Sequence, residues 1–253
     1  MNIKVCAESD LGRSRSVNED LYLVDSDSSL YLVADGMGGH GNGEIASRIT
    51  VQTIAKYLRK RSSSSSRRLR GGKRQAHHSD RLREAIKAAN EQVLAEVEKD
   101  EQLTGMGATL VALLVDGSTA LVAHVGDSRA YRLREGQLEQ LTDDHTWVHE
   151  QVSAGLLSDQ DARSHPFRSV VTRAVGGGED VLVDLESLDL RSGDTLLLCS
   201  DGLNAVLSDG DIQQKLQEGA TLEARCRELV AAANAGGGPD NITVVLLEIQ
   251  DDE

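Results

Sequence analysis

The chain has 253 residues and a formal charge of −14 at pH 7, from 41 acidic and 27 basic side chains. Affinity for a nucleic-acid backbone comes mainly from lysine and arginine, so this charge argues against nucleic acid as a partner. The sequence contains no run of about 18 apolar residues, which argues against a membrane span, and it begins without a hydrophobic signal region, which predicts a cytoplasmic protein.

Short apolar runs bounded by Gly, Asp or Ser predict β-strands, and apolar residues three or four positions apart predict helices. In chain order, the expected elements are strands at residues 3–8, 21–25 and 30–34; a helix at 44–58; a helix capped by Ser79; strands at 108–115, 120–125 and 130–133; helices at 144–155 and 158–164; strands at 181–190 and 195–199; helices at 208–217 and 221–234; and a strand at 242–249. Blocks of strands and pairs of helices favour an α+β fold with packed sheets over a regular parallel βαβ fold.

One segment, residues 59–78, interrupts this pattern. It contains five consecutive serines (62–66), and eight of the residues between Arg59 and Arg74 are basic, with no acidic residue among them. This composition predicts an irregular, low-complexity insertion at the surface. A regulatory alternative is that a kinase that prefers basic sites phosphorylates the serines and neutralises the patch.

Several acidic residues come at or beside the ends of apolar runs. They are Glu19, Asp20, Asp35, Asp127, Asp201 and Asp240. Unpaired carboxylates that converge repel one another and raise their own pKa values, and a divalent cation removes that penalty. The pattern therefore suggests a Mg²⁺ or Mn²⁺ site, although Asp-Gly is also a common turn dipeptide.

Six short motifs occur in order along the chain. They are RSVNED at 15–20, DGMGGH at 35–40, GAT at 107–109, GDSR at 126–129, CSDGL at 199–203 and GPDNIT at 238–243. Together they resemble the PP2C (PPM) family of metal-dependent protein serine/threonine phosphatases, in its bacterial form. The resemblance implies a single domain over residues 1–253, with the insertion at about 59–78. Its fold would be two packed antiparallel sheets flanked by helix pairs, a four-layer αββα sandwich.

The resemblance also implies ligands for two Mn²⁺ or Mg²⁺ ions. Asp35 would bridge the two ions, and Gly36 would offer its backbone carbonyl to one of them. Asp201 and Asp240 would bind the other ion, with Glu19 acting directly or through water.

Other site residues follow from the same motifs. Asp20 would orient metal-bound waters, and Asp127 would bind a weaker third ion that it shares with Asp201. Arg15 would grip the substrate phosphate, because a guanidinium fork fits two phosphate oxygens. His40 is a candidate for the acid that protonates the leaving group, and the alternatives are a metal-bound water or a solvated turn residue.

The implied reaction is hydrolysis of phosphoserine and phosphothreonine on proteins by a metal-activated water or hydroxide. The expected substrates are proteins phosphorylated by a bacterial eukaryotic-like Ser/Thr kinase, and the expected state is a monomer. The alternative is a phosphoprotein-binding pseudophosphatase. A lost metal aspartate would mark that class, but Asp35, Asp201 and Asp240 are all present.

Two other enzyme classes fit less well. Residues 36–41 match G-x-G-x-x-G, but Asp35 would face a pyrophosphate, and the first acid after Glu44 is Asp80, too far on to bind a ribose. Cysteine phosphatases need an arginine six positions after the nucleophile, and none of the three cysteines has one. The three cysteines are odd in number, far apart and form no CxxC pair, so we expect them to be reduced, buried side chains.

Three further residues are left open. His145 and His149 are four positions apart and could share a helical face as ligands, but without an evident third ligand we expect a satisfied or exposed pair. Arg173 lies in a segment that matches a family motif, and both a packing role and a substrate role are compatible with it.

Overall fold

The structure is a computed structural model that describes residues 1–61, 72–218 and 220–251. In chain order its strands are β1 (Asn2–Asp10), β2 (Asp20–Asp25), β3 (Leu30–Met37), β4 (Gly107–Ala108), β5 (Leu110–Asp116), β6 (Thr119–Val125), β7 (Arg129–Arg134), β8 (Gln137–Gln140), β9 (Asp184–Asp189), β10 (Thr195–Cys199) and β11 (Ile242–Gln250). Its α-helices are α1 (Asn42–Arg61), α2 (Gly72–Lys99), α3 (Trp147–Ser153), α4 (Asp159–Ser164), α5 (Asp201–Asn204), α6 (Asp209–Glu218) and α7 (Leu222–Ala235).

The strands form two antiparallel sheets. The first sheet has the order β2-β3-β5-β6-β9, with β4 pairing the end of β3, and the second has the order β1-β11-β10-β7-β8. β11 is central to the second sheet, since it pairs β1 along its whole length, from Asp10↔Ile242 to Asn2↔Gln250, and pairs β10 on its other side.

Strand β5 shows why the central strands are continuous apolar runs. Leu110, Ala112 and Leu114 belong to the core beneath α1 and α2, whereas Val111 and Leu113 belong to the core between the two sheets. A strand buried on both faces needs apolar side chains at every position. The first sheet is therefore covered by helices on one side and by the second sheet on the other.

Helix pairs cover the outer faces. The helical spacing predicts one buried face on the helix after Ser79, and Leu82, Ile86 and Val93 of α2 are fully buried against the first sheet. On the opposite side, α6 and α7 pack on the second sheet, with Ile212 and Leu229 at the contact. The predicted α+β architecture, with four layers in the order αββα, is confirmed.

Several predicted boundaries are wrong. Strand β3 does not stop at residue 34, because backbone pairing with β2 and then with β4 carries it through Asp35 to Met37. The helix predicted at 144–155 begins only at Trp147, since the Thr146 side chain caps it by accepting from the backbone N–H of His149. Strand β8 is missing from the sequence expectation because its alternating polar residues do not form an apolar run.

The segment at 59–78 is also more ordered at its ends than expected. Residues 59–61 complete α1, and residues 72–78 form the first two turns of α2. Ser79 therefore lies inside a helix and does not cap one. Serines 62–66 lie outside the described residues, so the regulatory alternative stays a prediction.

The cysteines are free thiols. Cys199 and Cys226 are buried as expected, whereas Cys6 is only half-buried. Among the described helices, none combines the length and the apolar character that a membrane span requires.

Candidate metal centre

The site is built first on the ladder between β2 and β3. Asp20 and Asp35 are directly opposite each other in the register of this antiparallel pair. Side chains directly opposite in such a pair project from the same face of the sheet at short distance. The ladder therefore places two carboxylates side by side, and Asp20 is buried.

The second sheet adds carboxylates from two adjacent chain segments. Asp201 begins α5 immediately after β10, and Asp240 lies just before β11. Ser200 joins the two sheets, because its hydroxyl donates to Asp20 Oδ2 at 2.7 Å and accepts from the Thr243 N–H at 2.9 Å. The strand ends of both sheets thus meet at one edge of the sandwich.

Asn241 holds the loop that carries Glu19. Its side-chain oxygen accepts from the Glu19 N–H at 2.8 Å, and its amide nitrogen donates to the carbonyls of Leu11 and Val17, each at 3.0 Å. The side chain is buried and all these bonds cross between distant parts of the chain. The GPDNIT motif contains Asn241, but only the tertiary contacts give it this bracing role.

Gly36 and Gly43 bring two backbone segments into direct contact beneath Glu19. A Cβ at Gly36 would lie 2.1 Å from the Gly43 carbonyl oxygen, and one at Gly43 would lie 2.5 Å from the Gly36 carbonyl oxygen. Glu19 Oε1 accepts from the Gly43 N–H at 2.9 Å. Glycine is therefore required at both positions, because any Cβ would force the two backbone segments apart beneath Glu19.

Asp127 enters the site from the loop between β6 and β7. The neighbouring Ser128 hydroxyl lies 2.6 Å from the Thr109 hydroxyl, which in turn accepts from the Asp35 N–H at 3.3 Å. The Thr109 N–H donates back to the Asp35 carbonyl at 2.8 Å. This short chain of hydrogen bonds links the position of Asp127 to that of Asp35.

The electrostatics of these carboxylates show that they converge. Burial, followed by repulsion between the aspartates, raises the pKa of Asp20 to about 7 and the pKa of Asp201 to about 6. The same two causes raise the pKa of Asp127 to about 8 and hold the pKa of Asp35 well above its ordinary value. Buried groups of one sign that repel each other need a cation nearby to stay ionised at neutral pH.

The carboxylate oxygens in the site fit a hard divalent cation. Oδ1 of Asp20 and Oδ1 of Asp201 are buried and have no hydrogen-bond partner among the described residues. Buried carboxylate oxygens without partners are costly unless a cation binds them. Oxygen ligands are those that Mg²⁺ and Mn²⁺ prefer.

Arg15 lies at the rim of this acidic cluster. Its Nη2 donates to Asp240 Oδ2 at 2.6 Å, and about half of the Arg15 side chain is exposed. This hydrogen bond is the main reason that the pKa of Arg15 is raised. The guanidinium therefore combines contact with the acidic cluster and access to solvent, as a phosphate-binding group requires.

The structure thus brings together seven of the predicted residues, in the sense that contacts or mutual charge effects connect them. They are Arg15, Glu19, Asp20, Asp35, Asp127, Asp201 and Asp240. Gly36 lies at the same place through its contact with Gly43. His40 belongs to the short turn Gly39–Gly41, but its side chain lies outside the description, so its role as an acid stays a prediction.

A second cluster, next to this centre, contains residues that the sequence patterns left unassigned. His124, His145 and Asp184 have potential ligand atoms within 4.8 Å of one another. The two imidazole rings are stacked at 4.4 Å with 19° between their planes, so their in-plane lone pairs run nearly parallel and do not converge on one ion. Arg173 already contacts Asp184 at 3.1 Å, and we interpret the cluster as a hydrogen-bond network.

His145 and His149 are not a ligand pair. His145 is buried and hydrogen-bonded within this cluster, which agrees with the expectation of a satisfied side chain, while His149 lies in α3. Arg173 packs against Asp184, which favours the packing role over contact with substrate.

A cluster of buried acidic residues that fits divalent cations, at one edge of an αββα sandwich, is the arrangement that the resemblance to the PP2C phosphatases implies, and comparison with known proteins agrees. The protein phosphatase 2C family model matches residues 12–243. The chain belongs to the protein phosphatase 2C family.

The chain is similar to two curated bacterial proteins. It is 40% identical to the serine/threonine protein phosphatase PstP of Mycobacterium tuberculosis over 98% of the chain, and 36% identical to the serine/threonine phosphatase stp of Listeria monocytogenes over 94% of the chain. It spans only 45% of the length of PstP but 93% of the length of stp.

A solved structure supports the same relationship. The catalytic domain of PstP in complex with two manganese ions is 35% identical to this chain, with a TM-score of 0.85 over 98% of this chain and 99% of that domain.

Proposed function

We propose that this chain hydrolyses phosphoserine and phosphothreonine phosphomonoesters on proteins with the aid of divalent metal ions. The observation that carries the proposal is the convergence of Asp20, Asp35 and Asp201, whose pKa values are raised. Asp20 and Asp201 each have a buried oxygen without a hydrogen-bond partner in the described part of the chain. Family membership and relatives named serine/threonine phosphatases support the same reaction.

The proposed ligands of two Mn²⁺ or Mg²⁺ ions are Glu19, Asp35, the Gly36 carbonyl, Asp201 and Asp240. Asp127 is the proposed ligand of a third, weaker ion. Two divalent ions, when bound, lower the pKa of water to the neutral range and neutralise the charge on a phosphate group.

The protein's own groups provide substrate binding and orientation. In this proposal the Arg15 fork binds two phosphate oxygens and stabilises the charge that develops on them. In the structure its partner is Asp240, so a bound phosphate would offer it a second anionic partner. Asp20 is the proposed group that orients water in the centre, and its hydrogen bond from Ser200 at 2.7 Å supports a fixed position for it.

We further propose that the substrates are proteins phosphorylated by a eukaryotic-like bacterial Ser/Thr kinase, and that the chain acts as a cytoplasmic monomer. The free state of the three cysteines supports a reducing compartment.

The decisive assay measures hydrolysis of p-nitrophenyl phosphate and of a phosphothreonine peptide, with Mn²⁺ and with EDTA. We expect turnover of both substrates with Mn²⁺ and none with EDTA. Turnover that resists EDTA would contradict the metal-dependent mechanism. Tight peptide binding without turnover in Mn²⁺ would instead indicate a phosphoprotein-binding pseudophosphatase.

A further inference from the structure

His145 is joined to Gly126 by two hydrogen bonds. The His145 N–H donates to the Gly126 carbonyl at 2.9 Å, and the Gly126 N–H donates to His145 Nδ1 at 3.0 Å. Both residues are buried, and 19 positions separate them in the sequence. This reciprocal pair fixes the backbone of the residue that directly precedes Asp127.

Gly126 can rotate if this pair is lost, because a glycine has no Cβ to restrict its backbone. Its φ is +103°, a conformation that favours glycine, and a Cβ there would lie 2.6 Å from the Thr109 side chain. The next side chain, Asp127, is buried in the acidic centre. A small rotation at Gly126 therefore moves the Asp127 carboxylate relative to the other ligands.

The outer side of the His145 ring is fixed as well. Since Nδ1 accepts the Gly126 N–H, the ring proton is on Nε2, which donates to Asp184 Oδ2 at 3.0 Å. Arg173 donates to the other oxygen of Asp184 at 3.1 Å. Burial lowers the pKa of His145 and so favours the neutral ring that this arrangement requires.

A second contact holds the same loop from its other end. Arg129, two residues after Asp127, makes a bidentate pair with Asp144 at 2.7 and 2.6 Å. Residues 144 and 145 thus hold residues 126 and 129 on either side of Asp127. Residues 144–145 lie between β8 and α3, away from the acidic centre's own strands.

We propose that His145 is a positioning residue that holds Gly126 and thereby places Asp127 to bind the weakest divalent ion. This inference rests on the proposed function, because it assigns Asp127 to a metal site. Asp184 acts behind His145 by accepting the Nε2 proton, whereas Arg173, whose Nη1 lies 3.1 Å from Nε2, holds Asp184 and disfavours a second ring proton through its charge. Loss of such outer contacts weakens metal binding by about 10- to 100-fold in other proteins.

The test separates the two hydrogen-bonding edges of the ring. In His145→Asn the amide oxygen takes the place of Nδ1 and keeps the contact with Gly126, whereas in His145→Gln the amide nitrogen takes the place of Nε2 and keeps the contact with Asp184. His145→Ala loses both contacts. His149→Ala is the matched control, because no hydrogen bond joins the His149 ring to the part of the chain that the structure describes.

Two readouts are needed. Calorimetric titration with Mn²⁺ measures the weakest binding step. The Asp127→Asn variant should lack this step, and its loss assigns the step to the site that contains Asp127. Hydrogen exchange of the Gly126 amide, followed by NMR in the metal-free protein, reports the contact without any catalysis. We expect about 10- to 100-fold weaker Mn²⁺ binding at that step and faster Gly126 exchange in His145→Gln and His145→Ala. His145→Asn and His149→Ala should remain close to the wild-type protein.

Equal behaviour of the Asn and Gln variants would overturn the proposal. Unchanged Gly126 exchange in the Gln variant would do the same, and so would failure of the Ala, Asn and Gln variants to fold, because the role of His145 would then be structural. If the wild-type protein binds Mn²⁺ but hydrolyses no phosphate ester, the proposed function fails, while the exchange measurement still decides the role of His145.

Discussion

Arg15 Nη2 lies 2.6 Å from Asp240 Oδ2, although 225 positions separate the two residues in the chain. The pair joins the proposed phosphate-binding group to a proposed metal ligand. Each residue therefore influences the charge that the other presents to a substrate, and removal of Arg15 leaves the acidic rim without this cation.

We expect Arg15→Ala to raise KM for a phosphothreonine peptide by about 10- to 100-fold, because it removes charge-assisted hydrogen bonds to phosphate. Arg15→Lys should recover only part of the loss, since an ammonium cannot form the two-pronged contact. Steady-state kinetics with Mn²⁺ measure both variants. Arg13→Ala, at an exposed arginine of the same loop, is the control, and an equal effect there would indicate nonspecific attraction.

Asp201→Asn should lower kcat at least ~100-fold on p-nitrophenyl phosphate, because the variant removes a negative ligand from the centre of the site. The metal-free variant should nevertheless be at least as stable as the wild-type protein, since one repelling carboxylate is gone. Asp80→Asn, on the exposed surface of α2, is the control and should change neither kcat nor the stability of the metal-free protein. An Asp201→Asn enzyme with normal turnover would refute the proposed ligand set.

The metal-free protein should lose stability as pH rises from 6.5 to 8. In this window Asp20 and Asp127, with pKa values of about 7 and about 8, still hold protons in the folded state, whereas the unfolded chain, with a pKa near 3.8, does not. The folded state thus binds more protons, and the raised pKa of Asp35 acts in the same direction, so the free energy of unfolding falls as pH rises.

Urea denaturation in EDTA at several pH values measures this slope. The lowered pKa of His145 contributes the opposite slope only below about pH 6.5, where the unfolded histidine gains a proton. Asp127→Asn should flatten the dependence, and added Mn²⁺ should stabilise the protein more at pH 8 than at pH 6.5. A metal-free stability that rises between pH 6.5 and 8 would show that the carboxylates do not retain protons.

Gly36→Ala should destabilise the protein by about 1–3 kcal/mol, the usual cost of an added methyl group in a filled site. The new Cβ would lie 2.1 Å from the Gly43 carbonyl oxygen, so one backbone segment has to move. Gly39→Ala is a sharp control, because a Cβ there has no heavy atom within 4 Å. Thermal denaturation compares the two variants, and equal midpoints would argue against the close backbone contact.

Some features of the fold follow from local patterns alone. The continuous apolar run of β5 and the helical spacing from Leu82 to Val93 identify buried elements. A strand buried on both faces needs an unbroken apolar run, and a helix buried on one face needs apolar residues three or four positions apart. The six motifs likewise identify the acidic residues, although they do not establish the contacts among them.

Other features depend on pairing between distant segments. Strand β3 continues through Asp35 because β2 and β4 provide backbone partners there, and an Asp-Gly pair read locally predicts a turn. The link between His145 and Gly126 has no local signal either. The β7–β8 hairpin returns the chain towards Gly126, and the polar residues of β8 give no apolar run from which the sequence would predict that strand.

The sequence by itself therefore determined the α+β class, the family and the identity of the candidate ligands, because these depend on residue types and their order. The tertiary structure decided which carboxylates face each other, how far they are buried and which residues brace them. Those properties arise from the packing of two sheets and from hydrogen bonds such as Ser200 to Asp20, which span 180 positions and leave no periodic trace in the chain.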